Sequence, residues 1–170
     1  LADADAIIII GSNTTTAHPL VAERLYRAKA KGAKLIVADP RKVQISLYAD
    51  IYGSHALGTD AALLNGIMHV ILKEGWQDDK FIAERTEGFE EFRKTIENYP
   101  PEKVAGICDI PVEDIREIAR LYSQADKGSI VYCMGITQHT TGVDNVKSLA
   151  NLAMLTGHRS EERRVGKECR

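Results

Sequence analysis

The sequence predicts an α/β fold: a layered α/β/α domain with a mostly parallel, Rossmann-like sheet. Two observations lead to this prediction. Runs of β-branched residues such as 6–10 show no polar alternation, which is typical of parallel strands covered on both faces. These runs alternate with segments whose apolar residues recur at helical spacing. The 170 residues suffice for one such domain with its own core.

The first three predicted elements form a βαβ unit. The strand at 6–10 ends at Gly11, a helix is predicted over 19–31, and a second buried strand, AKLIVAD, ends at Asp39. Pro40 cannot donate to a ladder and ends that strand. Such units bring the carboxyl ends of both strands to one edge of the sheet.

The remainder of the chain continues the alternation. A short helix, an irregular extended segment (IYGSHALG) and a strongly amphipathic helix follow, and the break YPPE ends a later helix. GSIVYCMG is predicted as the last apolar strand. The predicted helices after the βαβ unit cover 44–50, 60–74, 78–84, 88–98, 112–123 and 144–156.

Composition excludes several classes of protein. Lys plus Arg number 22 against 24 Asp plus Glu, so the net charge of -2 gives no field that would gather nucleic acid or an anionic membrane. No apolar run is long enough to cross a bilayer, and we expect a cytoplasmic protein, or a periplasmic one if an export signal precedes the first residue. The cysteines, Cys108, Cys133 and Cys169, are far apart, which argues against a zinc or iron–sulfur ligand set in this chain.

Ligands of open parallel sheets bind at the carboxyl edge of the strands, and three predicted loops leave that edge, at 11–18, 39–42 and 135–144. The first, GSNTTTAHP, offers hydroxyls, the amide of Asn13 and unpaired N–H groups at a helix start. These groups suit a phosphate or pyrophosphate, although plain helix capping would favour the same residues. The loop also lacks the G-x-G-x-x-G pattern, so a nucleotide other than a nicotinamide is indicated.

The second loop contains an acidic residue where nucleotide domains hold ribose hydroxyls. Asp39 ends the second strand, and Arg41 beside it could bind a phosphate or stack on a base. An ordinary surface ion pair is the alternative. Asp60 begins a predicted helix, where it could cap the helix or accept two hydrogen bonds from the N–H edge of a guanine.

The third loop, ITQHTTGVDN, combines many uncharged donors, which suits a polar heterocycle read by hydrogen bonds. The histidines near the loops, His18, His55 and His139, are expected to be solvated loop residues, since none has a second histidine at ligand spacing. Cys133, within the last predicted strand, is expected to be a small buried residue.

In this order and spacing, IIIIGSNTTTAHP, LIVADPRKVQISLYAD, GTDAALLNG, RTEGFEEF and YCMGITQHTTGVDNVKSLANLAMLTG resemble the molybdopterin oxidoreductase family. The resemblance is nearest to the catalytic subunits of molybdenum- or tungsten-dependent formate dehydrogenases. It implies an internal piece of such a subunit, in which residues 1–157 bind a molybdopterin guanine dinucleotide. Two such groups (bis-MGD) would hold the metal.

The resemblance also implies roles for individual positions. Asn13 and the loop through Thr16 would lie near the pyrophosphate. Asp39, Pro40 and Arg41 would lie on the guanosine. The remaining positions divide between the guanine nucleotide (Gly58 and Asp60) and the pterin end (Met134, Gly135 and Gln138).

The resemblance places the metal-ligating and catalytic residues, and the ligands of a 4Fe–4S cluster, before Leu1. The chain alone is therefore expected to be inactive. In the full subunit formate would be the substrate and iron–sulfur subunits or domains the electron acceptors. The alternatives are a nitrate reductase or another oxyanion reductase of the family, and a nucleotide-binding module with no redox role. Residues 158–170 are expected to be a charged tail, disordered or foreign to the family.

Overall fold

A computed structural model describes residues 1–158 and shows a four-stranded sheet between two layers of helices. The strand order is β3-β2-β1-β4, and every pair is parallel. All five residues of β1 are buried, as the uninterrupted isoleucine run predicts. The predicted α/β fold with a parallel sheet is confirmed. The strands are β1 Ala6–Ile10, β2 Lys34–Ala38, β3 Ile51–Gly53 and β4 Gly128–Tyr132.

The helices lie between the strands along the chain, and most begin and end within a few residues of the predicted bounds. The segment predicted as a helix over 44–50 is a 3-10 helix, Gln44–Tyr48. The α-helices within the described residues are α1 Thr14–Ala17, α2 Pro19–Ala30, α3 Asp60–Glu74, α4 Asp79–Arg85, α5 Phe89–Ile96, α6 Pro101–Cys108, α7 Val112–Ser123, α8 Met134–Thr137 and α9 Gly142–Leu155.

The two faces of the sheet bury separate cores. Ile8 and Ile10 of β1 point to one face and pack with residues of α3, α6, α7 and α9. Ile7 and Ile9 point to the other face and pack with Leu25 of α2 and its neighbours. Successive side chains of a strand alternate between faces, so one apolar run supplies both cores.

Helix α6 was not predicted from the sequence. The prolines of YPPE were expected to break a helix, but Pro101 is the first residue of α6, where a missing N–H costs nothing. The helix buries Val104 against α3, at Gly66, where an added Cβ would lie 2.8 Å from a methyl of Val104. Proline therefore starts an element where the sequence analysis assigned none.

The last strand is shorter than predicted. β4 ends at Tyr132, so Cys133 lies after the strand and is half-buried, which corrects its placement inside a buried strand. The next segment is also not a continuous loop. α8 occupies the start of the predicted loop and α9 begins at Gly142, so only 138–141 connect them.

His158 packs into the fold, although the sequence analysis assigned it to the tail. Its Nδ1 accepts a hydrogen bond from the Gly128 N–H at 3.2 Å, and its Nε2 lies 3.0 Å from the Tyr122 carbonyl. Burial lowers the pKa of this imidazole. The prediction for 159–170 lies outside the described residues.

Candidate nucleotide site at the sheet edge

Four connections meet at the carboxyl edge of the sheet and enclose a cavity of about 200 Å³. They follow β1, β2, β3 and β4. The sequence analysis named the connections after β1, β2 and β4 as site loops, and on the connection after β3 it named Gly58 and Asp60 but not His55. Six of the ten predicted site residues line the cavity, together with Gly11, His55, Leu57 and His139; the six are Asp39, Pro40, Arg41, Gly58, Asp60 and Gly135.

The floor of the cavity is a close contact between two glycines. Gly135 donates its N–H to the Gly11 carbonyl at 3.1 Å. A Cβ on Gly135 would lie 2.5 Å from the Gly11 oxygen, and one on Gly11 would lie 2.8 Å from the Gly135 carbonyl carbon. Gly11 also has a φ of +54°, which favours glycine. Both glycines are needed to bring the first and last connections together.

Asp39 forms a tight turn at the end of β2. Its Oδ1 accepts a hydrogen bond from the Arg41 backbone N–H at 2.9 Å, an Asx turn across Pro40. The residue is only 2% exposed, and the Arg41 Nε lies 3.6 Å from the same oxygen. The Arg41 side chain is 72% exposed, so it has the freedom to meet a ligand at the rim. The structure thus shows an ion pair with a buried carboxylate and an exposed cation.

Asp60 is paired with a histidine that the sequence analysis discounted. The His55 Nε2 lies 3.0 Å from the Asp60 Oδ1, and the two side chains are 1% and 6% exposed. The expectation of a solvated His55 is wrong. Asp60 is the first residue of α3 rather than its N-cap, which is Thr59. The signal that could have identified His55 is its position directly after a parallel strand, the criterion applied to the other three connections.

The connection that carries His55 is braced by α6. The Ala56 N–H donates to the Cys108 carbonyl at 2.7 Å, and the Cys108 Sγ lies 3.7 Å from the Thr59 carbonyl. Burial raises the pKa of the Cys108 thiol, which keeps it protonated and able to donate. Gly58, with a φ of +78°, allows the chain to turn into α3. The helix missed from the sequence thus supports one wall of the cavity.

The other four predicted site residues lie outside the cavity lining. Asn13 is half-buried, and its Oδ1 accepts a hydrogen bond from the Thr15 hydroxyl at 3.1 Å. Thr16 and Gln138 are exposed, and Met134 is 58% exposed. These positions lie on the connections that follow β1 and β4. They would extend the site along the sheet edge beyond the cavity.

Helix capping does not account for the hydroxyls of the first connection. Asn13 is the N-cap of α1, but its side chain makes no capping hydrogen bond. The hydroxyls of Ser12 and Thr14 are buried and have no hydrogen-bond partner among residues 1–158. Buried polar groups nearly always have a hydrogen-bond partner, so these two hydroxyls are candidates to hydrogen-bond a group outside the described chain.

The two remaining histidines near the edge make contacts of their own. The His139 Nε2 lies 2.7 Å from the Gly135 carbonyl and holds the start of α8. His18 is exposed, and its Nε2 lies 3.7 Å from the Cys133 Sγ. Among the described residues no three His, Cys, Asp or Glu side chains group as a metal site would require. No described helix has the length and apolar character to span a bilayer.

Comparison with known proteins gives a family. The family model for molybdopterin oxidoreductases matches residues 1–167. The chain is 53% identical over 156 residues to the alpha subunit of formate dehydrogenase 1 from Methanococcus maripaludis, covering 92% of this chain and 23% of the relative. It is 46% identical over 154 residues to formate dehydrogenase H from Escherichia coli, covering 91% of this chain and 22% of the relative. Nitrate reductases are also among the relatives.

A solved structure agrees with these sequence matches. Acetylene hydratase from Pelobacter acetylenicus superposes with a TM-score of 0.89 at 29% identity, covering 95% of this chain and 22% of the other. The chain thus spans about a quarter of the length of the relatives it matches. The fold match, the sequence relatives and the family model agree, and the chain belongs to the molybdopterin oxidoreductase family.

Proposed function

We propose that this chain is the cofactor-binding part of a formate dehydrogenase catalytic subunit, and that its edge cavity holds the guanosine end of a molybdopterin guanine dinucleotide. The observation that carries the proposal is the convergence of Asp39, Arg41 and Asp60 on one cavity. Asp39 and Arg41 follow β2 and Asp60 begins α3 after β3, so two connections bring these groups to one place. Burying two carboxylates is costly, and a ligand that hydrogen-bonds to them would offset that cost.

The chemistry of the lining fits a nucleoside. Asp39 and Asp60 provide buried acceptors for the hydroxyls of a ribose and the N–H groups of a base. Arg41 provides an exposed planar cation that can stack on a base or bind a phosphate. Pockets for whole drug-sized ligands have about 300–1,000 Å³. The cavity of about 200 Å³ is smaller, so it suits one end of a long ligand.

The first connection fits the pyrophosphate of the same ligand. The unpaired hydroxyls of Ser12 and Thr14 lie there, beside the amide of Asn13. Thr16 is exposed on the following turn of α1. Hydroxyl and amide donors suit phosphate oxygens, which only accept hydrogen bonds at neutral pH.

The role of this chain would be binding and orientation. When bound, as bis-MGD with molybdenum or tungsten, the cofactor supplies the redox chemistry of formate oxidation to carbon dioxide, and electrons pass to 4Fe–4S centres elsewhere in the full subunit or its partners. The residues described here fix the nucleotide end. Met134 and Gln138, which follow β4 and lie outside the cavity lining, would approach the pterin end, whereas Gly135 lines the cavity itself.

A second candidate follows from the relatives. Nitrate reductases match the chain as well, so nitrate reduction on the same cofactor scaffold is the alternative activity. The higher identity to the formate dehydrogenases favours formate. The cofactor site would be shared by both activities, because the chain makes up only about a quarter of either type of relative.

Substitution of Asp39 in the full-length protein tests the proposed site. Asp39→Asn keeps an oxygen for the Arg41 N–H and so preserves the turn, while it removes the charge. We expect both Asp39→Asn and Asp39→Ala to lower the metal and guanine nucleotide recovered per protein several-fold. The measurements are elemental analysis by mass spectrometry and chromatography of the acid-released nucleotide.

Asp3→Ala is the matched control for these variants. Asp3 is an exposed carboxylate before β1, at the opposite end of the strand from the cavity. Its substitution should leave cofactor content unchanged. Wild-type metal and nucleotide content in both Asp39 variants would refute the proposed site.

A further inference from the structure

The His55 imidazole is the one buried group of the cavity lining with an unpaired nitrogen among residues 1–158. Its Nε2 faces the Asp60 carboxylate at 3.0 Å. Its Nδ1 is shielded from solvent and has no hydrogen-bond partner within the described chain. The residue is 3% exposed and lines the cavity together with Asp39 and Asp60.

The pairing with Asp60 fixes what the free nitrogen can do. A carboxylate oxygen only accepts hydrogen bonds, so the proton of a neutral imidazole belongs on Nε2. In that neutral tautomer Nδ1 carries a lone pair and is an acceptor. Buried acceptors without a partner are rare in folded proteins, so a donor from outside the chain is expected at this nitrogen.

Three residues of the cavity lining thus carry hydrogen-bond acceptors: the carboxylates of Asp39 and Asp60 and the unpaired Nδ1 of His55. The complementary ligand face carries several N–H or O–H donors close together. Among purine bases this describes guanine, whose N1–H and 2-amino group lie side by side. Hypoxanthine lacks the 2-amino group. Adenine has an acceptor at N1, which would oppose these groups.

We propose that His55 is a specificity-determining residue for guanine. Its Nδ1 accepts a hydrogen bond from the 2-amino group of the base, while its Nε2–H holds the Asp60 carboxylate in place to accept one from N1–H. This inference rests on the proposed function, because it takes the guanosine end of the cofactor as the ligand of the edge cavity. It gives His55 a role in selecting the base, in addition to the residues proposed to bind the nucleotide.

The structure offers a variant that separates the two roles of His55. In His55→Gln the amide nitrogen can occupy the place of Nε2 and still donate to Asp60, but nothing replaces Nδ1. In His55→Asn the amide group lies at the place of Nδ1 and does not reach Asp60. His69→Gln is the matched control, since His69 lies on α3 with its Nδ1 at 3.0 Å from the Ile96 carbonyl, away from the cavity.

The experiment measures GMP, IMP and AMP binding to the full-length protein purified without cofactor, by isothermal titration calorimetry. We expect the wild type and His69→Gln to bind GMP at least tenfold more tightly than IMP or AMP. We expect His55→Gln to lose most of the preference for GMP over IMP while its unfolding temperature stays near the wild-type value. His55→Asn, which restores an acceptor at Nδ1, should recover part of that preference.

The outcomes distinguish this inference from the proposed function. Suppose His55→Gln keeps the wild-type ratio of GMP affinity to IMP affinity while Asp39→Asn still lowers cofactor content. The role of His55 would then be refuted, and the proposed cofactor site would not. Equal GMP and IMP affinities in the wild type would overturn it without any variant, whether or not the substituted proteins fold. A wild type that binds none of the three nucleotides would overturn both proposals.

Discussion

Replacing Gly135 with alanine tests the contact on which the cavity is built. The new Cβ would lie 2.5 Å from the Gly11 carbonyl oxygen and 2.7 Å from the Gly11 Cα. These are backbone atoms, which cannot move aside as the end of a flexible side chain can. The φ of Gly135 is not positive, so alanine fits the local backbone conformation and the effect is purely steric.

The size of the effect follows from three contributions. Over-packing a tight contact costs about 1–3 kcal/mol. The hydrogen bond from the Gly135 N–H to the Gly11 carbonyl, 3.1 Å long, would be strained or lost as the two connections separate, which costs a further ~1 kcal/mol. Alanine offsets about 1 kcal/mol of this by favouring the helix. We expect Gly135→Ala to lower the free energy of unfolding by about 1–3 kcal/mol.

Urea unfolding of the purified chain, followed by circular dichroism, measures this change. Gly106→Ala is the matched control, because Gly106 lies inside α6 and nothing is within 4 Å of the position of its Cβ. That substitution should stabilise the chain by about 0.5–1 kcal/mol through helix propensity. If Gly135→Ala changed the stability by less than about 0.5 kcal/mol while the control behaved as expected, the steric reasoning would be wrong.

Two further predictions concern pH. Burial alone would raise the pKa of Asp50, but hydrogen bonds from Lys29 and the Leu35 N–H outweigh burial and lower that pKa. We therefore expect Asp50→Ala to lower the free energy of unfolding by about 1 kcal/mol at pH 7. In urea unfolding, this difference from the wild type should vanish as pH falls below the ordinary value of 3.8 and through the folded pKa. Burial lowers the pKa of His158, so its contribution to the free energy of unfolding is present above the ordinary value of 6.5 and is lost as pH falls toward the folded pKa. His158→Gln should therefore make the free energy of unfolding less dependent on pH between 7.5 and 5. Equal slopes of unfolding free energy against pH for the two proteins would contradict this.

The first half of the fold could be predicted closely because its signals are local. The isoleucine run of β1, the amphipathic pattern of α2 and the proline after β2 each determine an element without reference to the rest of the chain. α6 could not be recognised in the same way, since proline both starts and breaks helices. What decides between the two is the packing of Val104 against α3.

Several residues of the cavity lining were also predictable, for a topological reason. Parallel strands end at one edge of the sheet, so Asp39 and the connections after β1 and β4 had to lie near one another. His55 was missed because β3 is only three residues long and gives a weak strand signal. Its burial depends on α3 and on the brace from Cys108, contacts between residues far apart in the chain.

The sequence by itself determined the order of elements, the parallel sheet and the edge at which polar side chains gather, because hydrophobic periodicity and turn residues act over a few positions. The tertiary structure decided the state of each polar group. It buried Asp39 and Asp60, paired Asp60 with His55 and left the Ser12 and Thr14 hydroxyls unpaired within residues 1–158. Burial and pairing depend on which distant backbones approach one another, as Gly11 and Gly135 do, and no local pattern encodes that approach.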